Sequence, residues 1–277
     1  MSLPEGSFAD VNGLRIHFHD VPAQGPSDSA PPVLFLHGSG PGASGWSNFH
    51  ENAEHLASQG LRALLIDLPG YGLSDKPDDA EYTFDFLGGA VTGLLDQLGL
   101  ETVSIVGNSM GGALAIHLAL AQPERVARLL LMAPGGLEAR HTYMQMRGIR
   151  TMLRAVFDPQ GLTLDGMQRI FKLQVFDPKN FDPAVIEARF EVARQQPLQV
   201  FKTLRVPNLV SRLGELKCPV FGLWGLNDQF CPVSGADTLA RHCPDARVMT
   251  LSRCGHWVMV EEADLFNRLS ADFLLNG

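Results

Sequence analysis

No window of this sequence approaches the roughly 18 uninterrupted apolar residues that a bilayer span needs. Its start, Met1 to Gly6, has no basic region followed by an apolar stretch, so a soluble, cytoplasmic protein is expected. There is no Lys- or Arg-rich run, and 22 Lys and Arg against 30 Asp and Glu leave a formal net charge of −8. That charge repels a phosphate backbone and argues against nucleic acid as a partner. Repeats and low-complexity tracts are missing, and Pro22 to Pro32 reads as a surface loop. Cysteine is scarce: only Cys218, Cys231, Cys243 and Cys254 occur. None stands in a Cys-x-x-Cys pair or at zinc spacing from a second ligand type, so no metal site is expected and the four read as small buried hydrophobes in a reducing compartment. What is present is ordinary globular material, 277 residues with 45% hydrophobic and 19% charged, enough for one sizeable core.

Short continuous apolar runs at Val33 to Leu36, Ala63 to Ile66, Val103 to Val106, Leu129 to Met132 and Pro219 to Trp224 suit strands covered on both faces. Leu14 to His19 alternates like a half-buried strand, and Arg247 to Leu251 reads as the last strand. Helical spacing fills the intervals at Trp46 to Ser58, Phe84 to Leu98, Met110 to Ala121, Val233 to His242 and Glu261 to Leu275. The alternation argues for an α/β protein with a mostly parallel sheet and helices on both faces. It stops between Gly135 and about Pro207, where the text is helical, is punctuated by Asp158-Pro159, Asp177-Pro178 and Asp182-Pro183, and carries Met144, Met146, Met152, Met167, Phe171 and Phe176. The expected division is a core in two parts, 1–134 and 208–277, around a helical insertion at 135–207. Such an insertion is placed to be a lid, because ligand sites in open α/β sheets lie beyond the carboxyl ends of the strands. The plainer reading is a packing subdomain.

The strongest motif is Gly107-Asn108-Ser109-Met110-Gly111, directly after a strand and opening a helix, which is the nucleophile-elbow pattern Gly-x-Ser-x-Gly in the context it requires. The plain alternative is a helix-capping serine. A serine hydroxyl needs a base, and the base needs an orienting acid. His256, in the Gly-punctuated loop Cys254-Gly255-His256-Trp257 after the last strand, is the candidate base, and Asp228, just past the run ending at Trp224, is the candidate acid. His37 is the rival base but stands in the wrong chain order, and Asp67 more plausibly supports a loop. Negative charge developing on an oxygen calls for fixed N–H donors, expected from Met110 and from Ser39 in the glycine-rich loop His37 to Gly42. Gly40-Pro41-Gly42-Ala43-Ser44-Gly45 also matches Gly-x-Gly-x-x-Gly, with Asp67 ending the next strand. As a dinucleotide fingerprint it starts too late after its strand and leaves Ser109, Asp228 and His256 unexplained, so no cofactor is expected.

Over about Val33 to Phe273 the chain resembles the hydrolases of aromatic meta-cleavage products, enzymes of the α/β-hydrolase fold. The resemblance is densest at His37 to Asn48, Gly107 to Gly112, Ala188-Arg189-Phe190 and Cys254 to Trp257. It implies an eight-stranded sheet and cleavage of a carbon-carbon bond in 2-hydroxy-6-oxo-2,4-dienoates, giving a 2-hydroxypentadienoate and a carboxylic acid. It implies further that Gly40, Asn48, Asn108, Arg189 and Trp257 bind the carboxylate end of the anionic substrate, and that the protein is a homodimer or higher oligomer. By resemblance His256 moves protons both in ketonising the dienol and in hydrolysis, while Ser109 is either covalent nucleophile or activator of a water. Without the resemblance, Arg189 between Glu187 and Glu191 would be an ordinary surface ion pair. A departure is Asn227 to Cys231, with Gln229 and Cys231 where relatives often carry Arg and Val. A carboxylesterase or lactonase with the same triad is the alternative, a non-catalytic receptor on this scaffold is a third reading, and haloalkane dehalogenases and epoxide hydrolases differ in placing Asp where this chain has Ser109.

Overall fold

The computed structural model describes residues 5–25, 30–180 and 183–276. Residues 26–29 of the Pro22 to Pro32 loop and Asp182 of the Asp182-Pro183 pair lie outside them, as do residues 1–4 of the chain start. One sheet of eight strands runs through the described chain: β1 Ser7–Val11, β2 Leu14–Val21, β3 Val33–Leu36, β4 Ala63–Ile66, β5 Val103–Asn108, β6 Val126–Met132, β7 Val220–Gly225 and β8 Ala246–Leu251, in the order β1-β2-β4-β3-β5-β6-β7-β8. β2 pairs antiparallel with β1 and β4, and the remaining pairings are parallel. The helices are α1 Gly45–Ser58, α2 Phe84–Gln97, α3 Met110–Ala121, α4 Arg140–Gln145, α5 Arg147–Val156, α6 Leu164–Gln174, α7 Pro183–Ala193, α8 Leu198–Thr203, α9 Ser234–His242, α10 Val258–Glu261 and α11 Ala263–Asn276.

The continuous apolar runs are explained by a sheet sandwiched between helix layers. Successive side chains of a strand point to opposite faces, and here both faces are dry. Leu34 and Leu36 of β3 join Leu87, Leu114 and Leu239 of α2, α3 and α9, whereas Val33 and Phe35 join Phe49, Phe266 and Phe273 of α1 and α11. Each such side chain withdrawn from water stabilises the fold by about 1.5–3 kcal/mol before entropy is subtracted.

Two elements differ from the sequence expectation. β1 was not anticipated: only Val11 of its five residues is buried, so the apolar pattern is weak at this sheet edge. The legible signal was the turn instead, Asn12-Gly13, whose φ values of 51° and 83° are the pair that a tight two-residue hairpin requires. The final helix, expected over Glu261 to Leu275, runs as α11 from Ala263, and the short helix α10, which was not expected, precedes it across a break at Glu262 (φ −122°, ψ 44°). The break lets α10 pack under β7 while α11 turns to pack on α1. Between β6 and β7 the chain builds α4 to α8 and no strand among the described residues. No helix of the described residues is long and apolar enough to cross a membrane.

Candidate active site

Three loops at the carboxyl ends of β5, β7 and β8 bring Ser109, Asp228 and His256 to one side of the sheet. Ser109 has φ 57° and ψ −117°, a conformation uncommon for a residue with a side chain. It is held there by its N–H donating to Met132 O at 2.9 Å and by its carbonyl accepting from the amides of Ala113 and Gly135. The flanking glycines are required by space. A Cβ on Gly107 would stand 2.7 Å from Gly111 O, and one on Gly111 would collide with the Leu36 carbonyl of β3. The Ser109 side chain makes no cap hydrogen bond to α3, which disposes of the helix-capping reading.

Asp228 is buried. Its Oδ1 accepts from the Phe230 and Cys231 amides at 2.7 and 2.9 Å, and its Oδ2 meets His256 Nδ1 at 2.7 Å. The carboxylate is thus fixed at one oxygen and steers the imidazole with the other, leaving Nε2 of His256 as the free ring nitrogen. The imidazole is also stacked on Phe230, with ring centroids 5.1 Å apart. Among the described residues there is no Ser109–His256 hydrogen bond; the Ser109 hydroxyl rests instead 3.9 Å from Cys231 Sγ. Both groups nevertheless line the same cavity, about 370 Å³ of empty space including its mouth.

The rival histidine is occupied. His37 Nδ1–H donates to Gly38 O at 2.8 Å and its Nε2 accepts from the Leu68 amide at 3.1 Å. Burial pushes its pKa down to about 4, so the ring is neutral at pH 7 and ties the glycine loop after β3 to the chain after β4. Asp67 likewise holds a loop. It accepts from Gly45 and Leu73 amides and from His17, and although burial opposes ionisation, the His17 bond keeps its pKa below the ordinary value. Among the described residues the amides of Ser39 and Met110 donate to no protein group. A Cβ on Gly38 would stand 3.4 Å from Ser109 Cβ, so the Ser39 loop lies against the serine.

Arg189 of α7, 4% exposed, lines the same cavity. Its Nη1 donates to Asn48 Oδ1 of α1 at 3.0 Å, and its guanidinium lies 5.3 and 5.2 Å from the ring centroids of Phe171 and Trp257. Among the described residues no carboxylate pairs with it, and its Nε has no hydrogen-bond partner. Burial lowers its pKa to about 9, which still leaves it cationic at pH 7. A charge held this way is costly unless an anion arrives. Asn108 spends its amide nitrogen on the Met132 and His256 carbonyls, at 3.2 and 3.4 Å. The glycine decoy is absorbed by packing: Gly42, at φ 68°, lies against the Arg189 carbonyl, Gly45 against β4, and Ser44 caps α1 in a capping box. Among the described residues no group of three or more His, Cys, Asp or Glu stands together to hold a metal ion.

A family model described as alpha/beta hydrolase fold matches residues 31–263. A 2-hydroxy-6-oxo-6-phenylhexa-2,4-dienoate hydrolase of Burkholderia cepacia is 37% identical over 96% of this chain and 93% of its own length. A 2-hydroxy-6-oxononadienedioate/2-hydroxy-6-oxononatrienedioate hydrolase of Comamonas testosteroni is 36% identical over the same shares. The chain belongs to the meta-cleavage product hydrolases of the α/β-hydrolase fold. The solved meta-cleavage product hydrolase of Pseudomonas fluorescens, a mutant complexed with acetates, superposes with a TM-score of 0.83 at 27% identity, covering 97% of both chains. An esterase from Exiguobacterium antarcticum superposes almost as well, TM-score 0.81, but at 19% identity it shares the fold alone.

In this hydrolase the cavity brings together Ser39, Gly40, Asn48, Asn108, Ser109, Arg189, His256 and Trp257 of the residues singled out in the sequence; Asp228 joins them through His256, and Met110 follows Ser109 at the start of α3. It adds Met152, one of the insertion's Met and Phe residues, and Ile149, Gln174 and Phe230, which sequence reasoning missed. Phe230 had a signal, being two residues past Asp228; Gln174 had none. The Met and Phe residues of the insertion divide in a way that composition does not reveal. Met152 lines the cavity, Met167 and Phe171 are core, and Met144 and Phe176 are exposed.

Proposed function

We propose that this hydrolase cleaves the carbon-carbon bond of a 2-hydroxy-6-oxo-2,4-dienoate next to its 6-oxo group, adding water to give a 2-hydroxypentadienoate and a carboxylic acid. The observation that carries the reading is the buried Arg189, paired with no carboxylate among the described residues, in the cavity that Ser109 and His256 also line. A planar guanidinium grips a carboxylate at two points, and a dienoate carries both that carboxylate and, farther along its chain, the carbonyl that the serine would meet. The names of the relatives point to the same substrate class.

In this reading Ser109, His256 and Asp228 are the catalytic groups, and Gly40, Asn48, Asn108, Arg189 and Trp257 hold the carboxylate end. His256, steered by Asp228, first moves a proton from the 2-hydroxyl toward C5, which turns the dienol into a ketone and makes the carbon chain a competent leaving group. It then takes the proton of the nucleophile, either Ser109 itself or a water that Ser109 activates, as the nucleophile attacks C6. This requires the Ser109 hydroxyl to turn from Cys231 toward His256, a tightening common when a substrate fills an apo site. The Ser39 and Met110 amides receive the oxyanion. When the tetrahedral species collapses, the C5–C6 bond breaks and its electron pair returns to the leaving chain, which is protonated; where Ser109 is the nucleophile, a water deprotonated by His256 then attacks the Ser109 ester and releases the carboxylic acid. Residues 135–207 act as the lid between core segments 1–134 and 208–277, and the protein works in the cytoplasm as a homodimer or higher oligomer.

The test is turnover of a yellow ring-fission dienoate beside a nitrophenyl ester. Loss of the yellow absorbance is expected, with Ser109→Ala slowing it by at least about 10³-fold. Hydrolysis of the ester without turnover of any dienoate would make the protein a carboxylesterase instead.

A further inference from the structure

Gln174 is the last residue of α6, and two of its features stand outside the roles given above. Its main-chain carbonyl accepts from the amides of both His256 and Trp257, at 2.7 and 3.0 Å, so the end of the insertion helix is bonded directly to the loop carrying the base. Its side chain is 6% exposed and lines the cavity, yet Oε1 is buried without a hydrogen-bond partner. Its Nε2 and Arg189 Nη2 face the same place, each 3.9 Å from where a Cβ on Gly40 would be. Glycine at position 40 keeps open the space onto which these two nitrogens converge.

An amide oxygen this deeply buried is destabilising unless a donor reaches it. The neighbouring Arg189 is itself a donor-only group whose Nη1 is already committed to Asn48. A bare carboxylate, which only accepts, satisfies Arg189 and the Gln174 NH₂ but leaves Oε1 empty. A carboxylate with a hydroxyl on the adjacent carbon satisfies all three, because the hydroxyl donates while the carboxylate accepts. From this juxtaposition we infer that Gln174 is a specificity-determining residue that reads the 2-hydroxyl of the substrate, pairing its amide with the hydroxy-carboxylate unit beside Arg189.

The inference rests on the proposed substrate class and is tested by binding, apart from turnover. In the full-length Ser109→Ala protein, dissociation constants are measured by absorbance titration for 2-hydroxy-6-oxo-6-phenylhexa-2,4-dienoate and for the same molecule lacking the 2-hydroxyl. Replacing Gln174 by Met keeps length and the main-chain carbonyl while removing both polar atoms. Gln174→Met is expected to weaken the hydroxylated ligand about tenfold and the deoxy ligand less than about threefold. Gln174→Glu, nearly the same shape, is expected to weaken both strongly, because its carboxylate pairs with Arg189 and repels the anion. Equal losses for both ligands in Gln174→Met, or no loss, would overturn the role of Gln174. Failure of the Ser109→Ala protein with Gln174 intact to bind either ligand would overturn the functional reading itself.

Discussion

At Arg189 a change of one residue separates charge recognition from catalysis. The guanidinium is buried, lies over the rings of Phe171 and Trp257, and is paired with no carboxylate among the described residues. Arg189→Gln keeps a hydrogen-bonding group but removes the charge, so KM for the anionic dienoate should rise about 10- to 100-fold, the value of a charge-assisted contact. Hydrolysis of a neutral nitrophenyl ester should change less than about twofold; equal damage to both in steady-state assays would mean that Arg189 only holds α7 in place. The same residue shows why single positions are hard to judge from text. Flanked by Glu187 and Glu191, it has the local signature of a surface ion pair. What buries it is Asn48, 141 positions away in the chain, together with the rings of Phe171 and Trp257. Ser109 was legible for the opposite reason: its constraints, a strand before, glycines beside and a helix after, are all within a few residues.

At the scale of elements, the junction of β5 and α3 is packed so closely against β3 that it tolerates no side chain. Gly111→Ala would drive a methyl group into the Leu36 carbonyl and should destabilise the protein by at least about 3 kcal/mol or prevent folding, measured by urea denaturation. A second junction ties the insertion to the base. The half-buried Glu261 carboxylate accepts from the Gly255 amide at 2.7 Å and from the Phe176 amide at 2.6 Å, bridging the His256 loop to the segment after α6. Glu261→Ala leaves both amides without that acceptor and should cost about 2 kcal/mol in the same assay, with kcat falling as the His256 loop loosens. Unchanged stability and rate would show that solvent replaces the carboxylate without loss. Glu261 ends α10, a short helix that the sequence reading, which started its last helix at Glu261, did not include. The turn at Glu262 lets α10 and α11 face different partners, β7 and α1. The edge strand β1 was hidden similarly, because a strand covered on one side only carries little apolar pattern.

Over the whole molecule, stability should depend on pH through His37. Its ring is buried and its pKa is near 4 in the folded state, against 6.5 when exposed. Between those values the unfolded chain binds the proton more readily than the folded one, so stability falls as pH drops from about 6.5 to about 4, by up to about 3 kcal/mol, and is unaffected above about pH 7. Thermal melts across that range should show the loss, and His37→Gln should flatten the slope by about one proton. An unchanged slope would mean that the ring takes up a proton without unfolding. Asp67, held below its ordinary value by His17, adds its own loss only under about pH 4.

The strand and helix alternation, the elbow around Ser109 and the loops bearing Asp228 and His256 were readable because each is written in contiguous residues, where backbone geometry and side-chain periodicity act over short range. Which polar groups would be left unmatched was not, and it is these that point to the ligand. The bareness of Arg189 and the orphaned oxygen of Gln174 arise only when α6 and α7 fold back over the ends of strands laid down far earlier in the chain, because whether a buried group finds a partner depends on every segment that closes around it.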